Sequence, residues 1–470
     1  MERVGVLVVS YGSREAAIVD AFARSRDYST DLYIADKQKN PFNVRRAKEH
    51  IVIPSLSSEE ICKFAKRHRD GIDFGIVGPE KPIISGVRDL VEKETGIPII
   101  SPTRDYAIEG SKVAQRYLFQ KVAPEVNPAF KVFDPKEYRS LDDVKRVLYK
   151  WLDELDNKVA VKPDAPAAGK GVGVWGDHFN TREQLFEYFM ANFEEGPVIV
   201  EERVVGEESS FQAFCDGRHL VPLPETRDHK RAFDEDRGPN TGGMGSYKDK
   251  GYTLPFIAQL DWARESEIVD RIFSKMRGGS SNTGLRGVPF YVAFMHTQSG
   301  PVILENNSRP GDPEIINLLP ILKDDFVDVC FRMIEGSLTR VNLDRKATVV
   351  IYKVPPGYGG YVDAFPDRVD GSQIEMPVII EEAEKLSAKH GESIRIYPAS
   401  MELRDDGQTY ALTSRAVCSV GIGDTIEAAR EISLEGLATI RGGALWNRTD
   451  IASKEHIGRS IRHMEQLRKR

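Results

Sequence analysis

The chain is predicted to be an α/β protein with an α+β middle, built in three units. Three observations predict it. Over residues 1–103 short apolar runs alternate with helical stretches, as in a parallel sheet covered on both faces. Residues 158–162 and 171–175 are β-like runs joined by a tight glycine-tipped loop over 163–170. From about residue 347 alternating strands and a helix begin again. The expected units are 1–103, 104–340 (with a lobe over about 122–203) and 341–470.

In the first unit, residues 4–9, 32–35, 51–53, 74–77 and 97–100 read as strands. Residues 15–26, 58–69 and 83–94 read as helices between them. Ligands of such sheets bind beyond the carboxyl ends of strands, here Gly12-Ser13-Arg14-Glu15 and Gly78-Pro79-Glu80. A plain βα turn is the simpler reading of each, and Glu80 is the better functional candidate. Helices are expected over 105–119, 141–155 and 262–276, and strands over 196–202 and 210–215. Residues 290–295 and 302–305 should form a hairpin over Thr297-Gln298-Ser299-Gly300. In the last unit Asp424 is expected to cap a helix, with Glu427 three residues on. Residues 453–470 form an amphipathic helix whose basic end suits the helix dipole.

At 470 residues the chain is too long for one core. A net charge of −7 argues against a general nucleic-acid surface. The 4 cysteines form no CxxC pair, which excludes zinc-ribbon and thioredoxin-type readings and fits a reducing cytoplasm. The apolar run at residues 4–9 reads as a buried strand rather than a secretory signal. No run approaches the ~20 apolar residues of a membrane helix. The expectation is a cytoplasmic protein that binds neither nucleic acid nor membrane.

The most informative stretch joins Asp228-His229-Lys230-Arg231 to Gly238-Pro239-Asn240-Thr241-Gly242-Gly243-Met244-Gly245. Glycine-rich backbone lets N–H groups approach a phosphate, and Lys230 and Arg231 add fixed positive charge. Gly171, Gly173 and Gly176 satisfy G-x-G-x-x-G, yet the segment sits between two β-like runs rather than leading from strand to helix. A Walker A loop also fails, because Gly171 follows Lys170 and Asp164 holds the place of the first glycine. What remains is a glycine-tipped hairpin able to cover a triphosphate, with Lys162 reaching the phosphates. A structural lysine at a strand end is the plainer account of Lys162 alone. Further on, Glu305 and Asn307 stand two apart on a strand, so both oxygens face one side and suit Mg²⁺. Arg309 shares that face and can hold a phosphate or carboxylate bidentately. An Asx turn leaving the strand, with Arg309 paired to an acid, is the alternative.

Together with Val77-Gly78-Pro79-Glu80, Glu109-Gly110-Ser111-Lys112, Ala167-Ala168-Gly169-Lys170-Gly171, Gly311-Asp312-Pro313-Glu314 and Ser414-Arg415-Ala416-Val417, these strings resemble the phosphoribosylamine–glycine ligase family of the ATP-grasp superfamily. The resemblance covers nearly the whole chain. It implies an N-terminal pre-ATP-grasp domain, an ATP-grasp core of two lobes and a small C-terminal α/β domain. It also implies ATP-driven joining of glycine to 5-phosphoribosylamine through a glycyl phosphate, in purine biosynthesis, with Mg²⁺ or Mn²⁺.

By the same resemblance Lys112 and Lys162 hold ATP phosphates, and Gly169, Lys170 and Gly171 form the flap. Glu201, Glu202 and Val204 form the hinge at adenine, and Glu208 meets the ribose. Glu305 and Asn307 are the metal ligands. Gly12, Arg14, Glu80, Asn240, Thr241, Gly242, Gly243 and Asp312 surround glycine and phosphoribosylamine. Arg309, Asp228 and Lys230 are the expected catalytic residues, while His229 orients the loop. The implied assembly is a monomer or weak homodimer, with transient contact to the enzyme that makes phosphoribosylamine. The chain departs from the family pattern at Ser13, Ala16, Ala165-Pro166, Asn306, Pro310 and Ile315. Another ATP-grasp carboxylate–amine ligase and a catalytically silent nucleotide-binding module are the competing readings.

Overall fold

The computed structural model describes residues 1–164 and 171–469. Its first unit is a five-stranded parallel sheet. β1 (Glu2–Ser10) is flanked on one side by β2 (Tyr28–Asp36) and β3 (Glu49–Val52), and on the other by β4 (Phe74–Val77) and β5 (Ile99–Ile100). The strands of β1 are apolar on both faces because both faces are covered. Val4, Val6 and Val8 join one buried cluster, and Leu7 and Val9 join another. The direction of winding reverses between β1 and β4, and their carboxyl ends carry Gly12–Glu15 and Gly78–Glu80. That is the switch point where an open α/β sheet leaves a crevice.

Three helical expectations need correction, and one helix of the first unit was not expected. The helix expected over 105–119 starts only at Lys112–Val122, after short 3₁₀ turns at Arg104–Tyr106 and Ile108–Gly110. Ser111 sets the start by accepting the Ala114 N–H at 3.0 Å. The helix expected over 83–94 is two, Glu80–Ile84 and Val87–Thr95, separated by Gly86 at φ +81. A further helix, Pro41–Arg46, follows the Asn40 cap. In the last unit the cap is Thr425, not Asp424. Thr425 accepts from Ala428 N–H, while Asp424 pairs with Lys346 at 2.6 Å.

The middle of the chain holds two four-stranded antiparallel sheets. One has the order Phe130–Phe133, Val198–Glu202, Val159–Pro163, Gly173–Val174. Helices Leu141–Glu154 and Arg182–Phe193 cover it through Val144, Leu148, Leu152, Leu185 and Phe189. The other runs Leu220–Pro222, Glu207–Cys215, Gly287–Thr297, Gly300–Asn307. Its back face packs on helix Gln259–Arg277 through Phe211, Phe290, Val292 and Ile272.

A third antiparallel sheet has the order Arg227–Asp228, Gly245–Lys248, Ala347–Lys353, Val417–Gly423, Ile394–Pro398. Strands from both sides of residue 340 therefore share it. Helix Ile426–Thr439 packs closely against this sheet, where an added Cβ on Gly421 would lie 1.8 Å from the Ala429 carbonyl oxygen. The final helix, Lys454–Lys469, ties back through His463, whose Nδ1 lies 2.7 Å from Glu207 Oε1. No helix among the described residues is long and apolar enough to cross a membrane.

Candidate active site

Residues from the first, middle and last parts of the chain line one cleft. Arg14 and Glu80 enter it from the β1–β4 crevice, Lys112 from the start of its helix, and Glu305, Asn307 and Arg309 from the end of a strand. Asp228, Lys230, Thr241, Gly242, Asp312 and Gly171 complete the set of expected residues that line it. Glu305 and Asn307 do share a face, because Asn306 between them turns away and donates to the Pro289 carbonyl at 3.1 Å.

One end of the cleft is dominated by lysines. Burial alone would raise the Glu305 carboxyl, but Lys230, Lys162 and Lys112 outweigh it and hold the group below its usual range. Glu305 is thus an ionised oxygen donor at neutral pH. With the Asn307 amide oxygen beside it, this is a donor set that fits Mg²⁺ or Mn²⁺. Lys230 pairs with Glu208, and Glu208, Glu305 and Asp228 overcome burial to raise the Lys230 ammonium above its usual range. Lys162 lies just behind the cleft, paired with Glu201 and 3.4 Å from the Leu304 carbonyl. Glu201 is held in turn by Arg116 at 2.6 and 3.1 Å. Its side chain therefore serves a buried ion network rather than the cleft. Glu202 is exposed and Val204 half-buried on the stretch that leads from this strand to the next.

The other end carries arginines and acids. Arg309 lies 3.8 Å from Glu80 and 3.6 Å from Glu109 and stands over the Tyr291 ring. Against the cost of burial, Arg309 and Arg14 keep the Glu80 carboxyl below its usual range. For Glu109 burial wins, and its carboxyl is raised. Arg14 is turned inward, donating to Glu15 at 2.5 Å and to the Pro310 carbonyl at 3.0 Å. Asp312 accepts from Arg415 at 2.7 Å and from Tyr352 at 3.0 Å. Arg415 also donates to the Gly242 carbonyl at 2.6 Å, which clamps the glycine loop to Asp312.

The glycine loop corrects one expectation. Its amides do not point freely at a ligand. Thr241 N–H donates to the Lys230 carbonyl (2.7 Å), Gly242 N–H to the Tyr358 hydroxyl (2.9 Å), Gly243 N–H to Thr241 Oγ1 (3.1 Å) and Met244 N–H to the His229 carbonyl (2.8 Å). Glycine is needed at 243 for another reason: φ is +106, and a Cβ would lie 2.5 Å from Asp228 Oδ1. Asp228 itself is half-buried, and desolvation, with Glu314 nearby, raises its carboxyl well above the usual range. Asn240 pairs with Arg231 across a two-stranded ribbon, and Gly12 sits at the helix start, where its N–H donates to Glu15 at 2.8 Å. Gly169 and Lys170 lie outside the described residues.

Against this geometry stand the comparisons. The family model for the N domain of phosphoribosylglycinamide synthetase matches residues 4–108, and that for its ATP-grasp (A) domain matches 130–315. The chain is 37% identical over 471 residues to the phosphoribosylamine–glycine ligase of Methanocella arvoryzae, covering 98% of this chain and 99% of the relative. The chain belongs to the phosphoribosylglycinamide synthetase family. A second relative of the same description, from Pyrococcus abyssi, is 35% identical over 99% of this chain and 98% of its own length. Among solved structures, the phosphoribosylamine–glycine ligase of Thermotoga maritima matches with a TM-score of 0.70 at 24% identity, over 95% of this chain and 100% of that one. The ATP-grasp architecture, a carbon–nitrogen ligase activity and the use of ATP follow from this membership.

Membership does not by itself pick out the residues that sequence reasoning missed. Glu109, Tyr291, Glu314, Tyr358 and Arg415 also line the cleft. Glu109, Glu314 and Arg415 fall inside strings already read as family motifs, so a signal was present for them. Arg116, which anchors Glu201, carries none: it is one basic residue on a mixed helix.

Proposed function

We propose that this chain joins glycine to 5-phosphoribosylamine at the expense of ATP, giving glycinamide ribonucleotide, ADP and phosphate in purine biosynthesis. The observation that carries the reading is the division of the cleft. A lysine-rich end surrounds the ionised Glu305, and an arginine–acid end is built from Arg309, Glu80, Asp312 and Arg415. The first suits a nucleoside triphosphate, and the second suits an amino acid and a sugar phosphate.

Lys112, Lys162 and Lys230 would neutralise the transferring phosphoryl oxygens. Glu305 and Asn307 would hold Mg²⁺ or Mn²⁺, which supplies charge neutralisation at the phosphates when bound. A glycine carboxylate oxygen attacks the γ-phosphorus and ADP leaves. The phosphoribosylamine nitrogen then attacks the acyl carbon, a C–N bond forms, the C–O bond to phosphate breaks, and the nitrogen loses a proton. Arg309, which lies between Glu80 and Glu109, would hold the substrate carboxylate or phosphate. We assign Glu201, Glu202 and Val204 to the adenine hinge, Glu208 to the ribose, and Gly12, Arg14, Asn240, Thr241, Gly242 and Gly243 to the substrate side. The divisions 1–103, 104–340 and 341–470, a cytoplasmic location and a monomer or weak homodimer belong to the same proposal.

The test is ADP release by the purified chain with ATP, Mg²⁺ and glycine, with and without phosphoribosylamine generated in place. Release that requires both substrates is expected. Release with another acid or amine would keep the ligase chemistry and discard these substrates. No release, with ATP still bound, would favour a silent nucleotide-binding module.

A further inference from the structure

On the sheet Glu207–Cys215/Gly287–Thr297, residues alternate between the cleft and the helix packed behind. Ser210 and Tyr291 reach Glu314 on the cleft side. Ser209 and His296 face the other way, where they meet Glu265 of helix Gln259–Arg277. Glu225, in the segment between Leu220–Pro222 and Arg227–Asp228, closes the group.

We propose that Glu225, Glu265 and His296 form a structural site for one divalent transition-metal ion of the zinc class. One ligand atom from each residue lies within 4.8 Å of the other two. His296 Nε2 is 2.9 Å from Glu265 Oε1 and 3.8 Å from Glu225 Oε1. Those separations bracket the edge of about 3.3 Å expected between ligands bound tetrahedrally at ~2.0 Å. Ser209 Oγ, 2.9 Å from His296 Nε2 and 3.3 Å from Glu265 Oε1, offers a fourth ligand.

The energetics call for a cation. Both carboxylates are at most 1% exposed. Among the described residues the ion pairs to them come from His296 alone. Both Glu225 oxygens, Glu265 Oε2 and the neighbouring Thr226 Oγ1 have no hydrogen-bond partner. Glu225 has neither oxygen satisfied and Glu265 only one, an unfavourable state for buried carboxylates, and one divalent ion would match their charge once His296 binds it as a neutral imidazole. The set of one imidazole and two carboxylates suits zinc, with manganese as the harder competitor. The second cluster of this type, His229, Asp236 and His456, has no such need, because Arg448 lies 3.0 Å from Asp236. An ion on the back of the sheet would brace the segment that leads directly into Asp228-His229-Lys230.

The chain would be stripped with a chelator, equilibrated separately with Zn²⁺, Mn²⁺ or Mg²⁺, desalted and its metal counted by mass spectrometry. The expected result is about one zinc per chain in the native protein and in Glu305→Gln. In Glu225→Gln and in the double variant Glu225→Gln/Glu265→Gln it should be lost. X-ray absorption on the native zinc-loaded protein decides the matter even if the variants fail to fold. The expected first shell is nitrogen and oxygen at about 2.0–2.1 Å with imidazole scattering. No retained zinc in the native protein would overturn the site and leave the two carboxyls sharing a proton beside His296. Zinc retained by the double variant, or a sulfur shell near ~2.3 Å, would place the ion elsewhere. Zinc counting reads the site independently of ligase turnover.

Discussion

At Glu305 three lysines outweigh the cost of burying a carboxylate, so the residue is poised as an anion in a cleft otherwise suited to anions. Glu305→Gln removes the charge and keeps the shape. Turnover should fall on the order of 100-fold, equivalent to roughly 3 kcal/mol of transition-state stabilisation, while far-UV circular dichroism stays unchanged; native-like turnover would remove Glu305 from the metal site. Lys162→Ala should weaken ATP binding and slow the chemical step together, because Arg116 still holds Glu201 after the lysine is gone. Unchanged kinetics would make Lys162 a structural partner of Glu201 only. Glu305 and Asn307 were legible in the sequence because an i, i+2 relation is local to one strand. Arg415 stood inside a motif string without its role showing, and Arg116 carried no signal, since what matters in each is a partner far away in the chain: Asp312 for one, Glu201 for the other.

Elements were readable where periodicity is local, as in the five parallel strands of the first unit. Their helices were less so where a glycine or a cap decides, as at Gly86, Ser111 and Thr425. The glycine loop shows the limit most clearly. Its composition announces a special backbone, but only the fold reveals that its N–H groups are used internally and that its carbonyls are held by Arg415. Two glycine substitutions separate packing from ligand contact. Gly421→Ala forces a methyl group into the Ala429 carbonyl of the covering helix, and overpacking of this kind costs about 1–3 kcal/mol or more. Gly12 is extended at φ −159 and an added Cβ meets nothing within 4 Å, so Gly12→Ala should leave stability within about 0.5 kcal/mol. Urea midpoints compare the pair. If Gly12→Ala keeps its midpoint and loses turnover, the missing space is substrate space.

The whole molecule is joined across its units by buried polar contacts, and one of them sets an acid limit. His229, on the loop beside the cleft, packs against His456 of the last helix at 4.6 Å between ring centres, with Asp236, Arg448 and Tyr247 around it. Burial, reinforced by Arg448 and His456 and opposed by Asp236, pushes its imidazole down to about 3. An unfolded histidine titrates near ~6.5. Between those values the unfolded chain binds a proton that the native chain refuses, so stability falls as pH drops below about 6.5, by up to about 1.4 kcal/mol per unit. Urea midpoints between pH 7 and 5 should therefore decline less steeply in His229→Gln than in the native chain; parallel declines would assign the acid sensitivity to other groups. Asp236 adds its own loss of stability only once pH falls below the ~3.9 of an unfolded aspartate, because the fold holds its carboxyl below that value. The shared third sheet bears on how such a chain can be divided by evolution or by hand. Its central strand Ala347–Lys353 is paired on one side by Gly245–Lys248 from the middle of the chain. A gene split near codon 340 would leave one product with a bare strand edge and the other with an orphaned hairpin, a recipe for aggregation. The last third of the chain is thus inherited with the residues of the glycine loop or not at all.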